Sequence, residues 1–386
     1  MLKKIPLFFL LMISFRGQAQ EPLLRNLQTS FTYSGDVYAN LSGGLETGVR
    51  YMDNIDVKAG FDIKGANFFF YGLGNQGKSI SEIVGDIQTV SNIDALNSWR
   101  LYEAWINKPM QSIKSSVLFG LYNLNSEFDV INTGSLFINS SHGIGRAFSS
   151  SGITGPSIFP LTSLAARLKI NPVKGIVFKF AVLDAVPSDP TNTKGTSVYL
   201  RESEGALLVS EISVSKPGEN TEALLGRGIN RDTPFRLVLG GWKYTEERTG
   251  WLDESESDHG VYAFGEITLQ NGFSFFGRAG AANRDINRFN YYLGAGLNYS
   301  GLFKNRFDDM LGLAVALPIN SDDFVLVEER RGNDFSRNEL NIELTYLMSI
   351  SEHVSFQFDT QYIQHPNQAP DIEDAFLVGI RSVFGF

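Results

Sequence analysis

Eight consecutive residues, Gly72-Leu73-Gly74-Asn75-Gln76-Gly77-Lys78-Ser79, satisfy the phosphate-loop spacing, and the first six also satisfy the dinucleotide glycine spacing. Both chemistries need a helix directly after the glycines, with its N-terminal amides aimed at phosphate. Here Ile80 to Ile87 is interrupted by Gly85, and no alternation of strands and helices follows. The stretch therefore reads as a glycine-rich loop leaving a strand. Nucleophilic catalysis would need an assembled Ser, His and acidic or amide orienter. The chain has four histidines, His142, His259, His353 and His365, and only Ser140-Ser141-His142 groups hydroxyls with one of them. Adjacent residues do not make a triad, and all four histidines fall in or beside expected loops. Metal spacing such as His-x-x-x-His is missing, as is cysteine. The acidic run Asp253 to Asp258 reads as a solvated loop, with divalent-ion binding near lipopolysaccharide as the alternative. No catalytic residue, metal or cofactor is expected.

What remains is a set of charged side chains standing at every second position of apolar stretches. Leu340, Ile342, Leu344, Tyr346 and Met348 alternate with Glu339, Asn341, Glu343 and Thr345. Val354, Phe356, Phe358 and Tyr362 alternate with Ser355, Gln357, Asp359 and Gln361, and the last run sets Phe376, Val378, Ile380, Phe384 and Phe386 against Arg381. A period of two is the period of a strand, whose successive side chains point to opposite faces. In an outer-membrane barrel the apolar face meets lipid and the polar face lines a wet lumen. The same pattern puts Lys58, Asp62, Arg167, Lys169, Lys179, Glu211, Arg236, Glu266, Arg278, Glu339, Glu343, Asp359 and Arg381 inside. Neither sign dominates that set. A mixed lumen suits neutral polar solutes, and equally a general pore.

Sixteen such strands fit the chain, at about 29–41, 45–63, 66–75, 97–108, 115–123, 163–170, 175–183, 205–214, 234–244, 260–269, 273–282, 290–299, 309–317, 338–349, 353–363 and 375–386. Connections after even strands are mostly short, and those after odd strands mostly long, at 76–96, 124–162, 184–204, 245–259 and 318–337. Two depart from this rule: Ser42 to Gly44 is short and Ser215 to Thr233 is long. The expected fold is all-β, a single 16-stranded antiparallel transmembrane β-barrel with long extracellular loops and short periplasmic turns. A soluble sandwich is the alternative, but an open sheet of this size would expose edges that closure removes.

The start of the chain supports export. Lys3 and Lys4 precede the apolar run Ile5 to Phe15, and small residues follow around Gly17 and Ala19. Such a run is too short to span a bilayer as a helix and reads as a signal peptide over residues 1–19, with the barrel domain over 20–386. Losing its three cations (Lys3, Lys4, Arg16) would take the net charge from −9 to −12. An acidic exported chain is a poor nucleic-acid partner. With 30 Phe, 14 Tyr and 38 Gly, the composition supplies aromatic girdles and tight turns.

Four stretches carry a resemblance. They are Arg100-Leu101-Tyr102-Glu103-Ala104-Trp105; then Glu127-Phe128 with Leu136-Phe137-Ile138-Asn139-Ser140-Ser141-His142-Gly143; then Pro160-Leu161-Thr162-Ser163-Leu164-Ala165-Ala166-Arg167-Leu168; and last Phe275-Phe276-Gly277-Arg278-Ala279-Gly280, followed by Tyr292 to Leu297 and Asp308 to Val315. In this order, across nearly the whole mature chain, the set resembles the carbohydrate-selective porins typified by the glucose porin of pseudomonads. The resemblance implies a Gram-negative outer-membrane barrel that admits monosaccharides or short oligosaccharides by diffusion. It also implies that the longest loop, Leu124 to Thr162, folds into the lumen.

Candidate constriction residues are Arg100, Glu103, Arg146 and Arg167, with Trp105, Phe137 and Phe148 as stacking surfaces. Lys169, Lys179, Glu211, Arg236, Glu266, Arg278, Glu339, Glu343, Asp359 and Arg381 are expected to line the pore. Arg100 and Glu103 stand three apart, which on a regular strand puts them on opposite faces. Either a bulge intervenes or Arg100 lies at the pore mouth. Any of these residues could instead be an ion pair pinning the loop to the wall. A general porin, a lipase-like barrel and an adhesin anchor are the other functional readings. Outer-membrane lipid and lipopolysaccharide are expected partners, and a homotrimer is an open possibility.

Overall fold

The computed structural model describes residues 26–187, 195–198, 200–216 and 235–386. The expected signal peptide and most of the long connection 215–233 lie outside the described residues. Sixteen strands run in chain order: β1 Gln28–Gly44, β2 Gly48–Ile63, β3 Ala66–Gly77, β4 Ser98–Met110, β5 Ser115–Tyr122, β6 Ser163–Val173, β7 Ile176–Asp184, β8 Ala206–Ser215, β9 Phe235–Thr249, β10 Ser255–Thr268, β11 Phe273–Ala282, β12 Phe289–Ser300, β13 Met310–Asn320, β14 Leu340–Ser349, β15 Val354–Gln364 and β16 Glu373–Gly385. Each pairs antiparallel with its sequence neighbours, and β1 pairs with β16 to close the barrel. Closure satisfies every edge without a second sheet, which is why so long a run of amphipathic strands needs no soluble core.

Two expectations change. The acidic run Asp253 to Asp258 is not a free loop: β10 begins at Ser255, and only residues 250–254 connect it to β9. There Arg248 meets Asp258 at 2.6 Å, and the Asp258 side chain is fully buried. The phosphate-like glycine run is not a loop either. Gly72 to Gly77 lies within β3, paired with β2 and β4, so its amides serve the sheet.

Outward positions of the strands are apolar and exposed, as with Val261, Leu293 and Phe358. The packed core sits inside the barrel, between the third loop and the wall. There Leu124, Phe128, Leu136, Phe137, Ala147 and Phe148 of the loop meet Leu183, Val209, Trp242, Tyr262, Phe276 and Tyr292 of the strands. A second cluster packs Ile80, Ile83, Val84, Val90 and Ile93 of the second loop on Tyr38, Met52, Ile363 and Leu377. Glycines on the wall make room for these rings. A Cβ at Gly240 would stand 2.2 Å from the Tyr262 ring, and one at Gly379 2.3 Å from Tyr38. Among the described residues, no helix is long and apolar enough to cross a membrane.

Candidate pore constriction

A bulge resolves the spacing of Arg100 and Glu103. Tyr71 faces Glu103 while Gly72 faces Leu101, so the β3–β4 register slips by one residue at Tyr102. Arg100, Tyr102 and Glu103 are consequently all buried on the inner side, while Trp99 and Leu101 are exposed. Arg100 donates to Ser98 Oγ at 2.7 Å. Glu103 accepts from Trp105 Nε1 at 3.1 Å and from the Asn123 amide at 3.2 Å, at the root of the third loop. Trp105 stacks on Phe69 with centroids 4.8 Å apart and stays half-exposed.

The third loop is fastened across the barrel by the wall's carboxylates, which accept its backbone amides. Glu211 accepts from Asp129 N at 2.8 Å, and Glu266 from Thr133 N at 3.0 Å. Glu343 takes two consecutive amides, Ile138 N at 2.6 Å and Asn139 N at 3.0 Å. Cations on the wall serve the loop's carbonyls and acids in turn. Arg278 pairs with Asp129 at 3.2 Å and donates to the Asp129 carbonyl at 2.7 Å. Arg167 meets Glu127 at 2.6 Å, with Lys169 at 3.5 Å. Lys179 pairs with Glu211 at 2.5 Å and reaches the Glu127 carbonyl. Arg236 pairs with Glu266 at 2.8 Å and reaches the Val130 carbonyl.

The second loop is held the same way. Arg381 grips Asp36 with two bonds of 2.7 Å and donates to Ser91 and Asn92. Asp359 accepts from Tyr38 at 2.8 Å and from Gln361 at 2.9 Å, and Gln361 in turn donates to the Val90 carbonyl. Glu339 accepts from Ile87 N and Asn367 N, joining the second and eighth loops. Buried charge is costly unless paired and hydrogen-bonded. Arg167, Lys179, Arg236, Arg278 and Arg381 each face a carboxylate, while among the described residues Glu339, Glu343 and Asp359 rest on hydrogen bonds from neutral donors.

Lys179, Glu211, Arg236, Glu266, Arg278, Glu339, Glu343, Asp359 and Arg381 are largely covered by loop. Phe137 and Phe148 are covered too. Phe148 stacks on Trp242 at 4.3 Å and Phe137 packs on Phe276 at 5.9 Å, so both rings already face protein rather than open lumen. His142 is fully buried 3.6 Å from Glu343, and burial pushes its imidazolium down to about 3, leaving it neutral.

Half-exposed groups remain on the β2–β6 wall and along the third loop. On the wall they are Lys58, Phe69, Tyr71, Trp105 and Lys169; on the loop, Asn123, Asn125, Asn132, Ser140 and Arg146, with Ser126 and Ser135 exposed. Lys58 Nζ sits 4.5 Å over the Tyr71 ring. Sequence reasoning had placed Lys58 inside but missed the loop's Ser and Asn edge.

A closed sixteen-stranded barrel whose longest loop is folded inward and fixed across the lumen is the architecture of a porin. The comparisons narrow this. A family model for the carbohydrate-selective porins, the OprB family, matches residues 53–386. Porin B of Pseudomonas aeruginosa is 24% identical over 418 positions, covering 95% of this chain and 88% of that protein. In fold, the high-pH structure of Pseudomonas putida OprB is similar with a TM-score of 0.79 at 21% identity, covering 94% of each chain. The outer membrane channel DcaP of Acinetobacter baumannii is similar at 0.57 and 10% identity, covering 93% of this chain and 97% of that one. This chain belongs to the carbohydrate-selective porin, OprB family. It is a channel for sugars in a Gram-negative outer membrane rather than an enzyme.

Proposed function

We propose that monosaccharides and short oligosaccharides diffuse passively along the side of the lumen bounded by β2–β6 and the polar edge of the third loop. The observation that carries this reading is the division of the inner groups. Most of the wall's charges are engaged by loop backbone, while the half-exposed surface is made largely of Ser, Asn and aromatic side chains. Hydroxyls and amides can exchange hydrogen bonds with sugar hydroxyls as these leave water. The rings of Trp105, Phe69 and Tyr71 offer platforms to the weakly apolar sugar face.

In this reading Glu103, Trp105 and Lys169 border the constriction, and Arg146 stands toward its extracellular entrance. Arg100 and Arg167 hold its walls, and Phe137 and Phe148 anchor the loop that forms its far side. The expected leader, residues 1–19, is removed on export. Lipopolysaccharide and membrane lipid cover the apolar outer face, and a homotrimer remains an expectation that native mass spectrometry would test.

The test is swelling of liposomes carrying the purified protein. Glucose is expected to enter faster than a zwitterionic amino acid of similar size, and faster than a disaccharide. Equal entry of glucose and the amino acid would reduce the reading to a general pore. No swelling with any solute would overturn it. Trp105→Ala is expected to slow glucose by about 5-fold, as loss of a stacking contact worth about 1 kcal/mol would.

A further inference from the structure

Four lumen arginines are neutralised where they stand: Arg167 by Glu127, Arg236 by Glu266, Arg278 by Asp129 and Arg381 by Asp36. Arg146 is different. It lies on the helical turn Arg146–Ser149 of the third loop, half-exposed near the extracellular end of β12. Among the described residues it has no carboxylate within ion-pair distance, and its buried Nε has no acceptor. Its guanidinium carbon is 5.7 Å from the centre of the Phe289 ring.

Arg288 flanks the same ring at 5.1 Å and packs on Phe324 and Phe335 at 4.8 and 5.3 Å. Its hydrogen bonds go to neutral oxygens, those of Asn320, Asn367 and Gln368. Two guanidiniums thus share one aromatic support, and among the described residues no acid is paired to either. The acids whose charge acts on Arg146 are Glu339 and Asp86. Glu339 already accepts amides of two loops, and burial raises it to about 8, which weakens its charge near neutrality; Asp86, raised to about 6, keeps most of its charge but stands outside ion-pair distance.

We propose that Arg146, backed by Arg288, is an anion-attracting station at the extracellular entrance, and that it favours saccharides carrying a carboxylate over their neutral counterparts. The inference rests on the sugar-channel reading and names a substrate class within it. A half-desolvated guanidinium with free N–H groups can hold a carboxylate through two parallel hydrogen bonds. A partly enclosed funnel also concentrates the opposite charge more than open surface does. A neutral sugar gains neither effect.

The test uses the full chain in liposomes, with glucose and glucuronate as solutes that differ in one carboxylate, and planar bilayers under a KCl gradient. Wild type is expected to admit glucuronate at least as fast as glucose, and its zero-current potential is expected to show anion preference. Arg146→Gln is expected to lower the glucuronate-to-glucose ratio by about 5-fold and to move the potential toward cation preference, whereas Arg146→Lys keeps most of both because it keeps the charge. Heat-modifiable migration of each variant confirms that the barrel has formed. A ratio and potential indifferent to Arg146, with glucose still entering, overturn this inference alone. Entry of neither solute into wild-type liposomes overturns it together with the channel reading.

Discussion

Glu343 engages both carboxyl oxygens with consecutive loop amides, a geometry that needs an acceptor at each oxygen. Glu343→Gln keeps the shape but turns an NH₂ toward an amide N–H, so one bond is lost and one donor is left facing another. Leaving a buried donor unsatisfied costs about 2 kcal/mol, which corresponds to about 30-fold faster hydrogen exchange at Ile138 and Asn139 if the loop opens locally. Unchanged protection at those two amides would show that the loop is held by its apolar packing alone. Gly240 makes the complementary point about space. A methyl group there meets the Tyr262 ring at 2.2 Å, and Tyr262 donates to Glu211 at 2.7 Å, so Gly240→Ala is expected to unseat both. Overpacking of this kind costs about 1–3 kcal/mol, read as a lower unfolding temperature.

The third loop is the element on which function turns, and its acid behaviour follows from two of its own carboxyls. Burial raises Asp129 to about 6 despite Arg278 beside it. Burial would also raise Glu127, but Arg167, Lys169 and Lys179 hold it below its ordinary value. A raised carboxyl makes the folded state take up a proton more readily, so Asp129 adds stability as pH falls through 6. A depressed one contributes above the ordinary carboxylate range and loses that contribution as pH falls further. The thermal midpoint in detergent is therefore expected to be at least as high at pH 5 as at pH 8, and to fall only below about pH 4. A midpoint that drops steadily from pH 8 to pH 5 would contradict this account.

The strands that frame this loop were legible, because a period of two survives in β14, β15 and β16 wherever one face meets lipid. The bulge at Tyr102 was not, since spacing alone cannot distinguish a slipped register from a residue lying above the sheet. Nor was the pinning. Glu211, Glu266 and Glu343 could be placed inward, but their partners are loop amides, which carry no side-chain signature. The nine-residue helix Asp322–Arg330 was missed although its signal was present. Ser321 caps it by accepting from Phe324 N at 3.1 Å, with Asp322 and Asp323 in the first turn.

At the scale of the whole molecule, everything depends on one seam, where the first strand meets the last. Phe31 and Phe386 exchange bonds there, Phe31 N to the Phe386 carbonyl at 2.9 Å and Phe386 N to the Phe31 carbonyl at 2.8 Å. The His353 ring stacks over Phe386 at 5.6 Å. Further up the seam, Asp36 and Arg381 face each other across the same pair of strands and tie it to the second loop. A barrel has no spare edge, so weakening the seam exposes unpaired backbone to lipid, where each unsatisfied group costs several kcal/mol. Removing Phe386 deletes both terminal bonds, whereas Phe386→Ala keeps them and loses only the ring. The truncation is therefore expected to lower the yield of heat-modifiable barrel and its unfolding temperature more than the alanine does. Asp36→Asn should act differently, because it leaves the strand pairing intact but half-releases Arg381. Its barrel is expected to form, with a noisier single-channel current as the second loop loosens. If the truncation and the alanine variant behave alike, the ring rather than the backbone pair secures the seam.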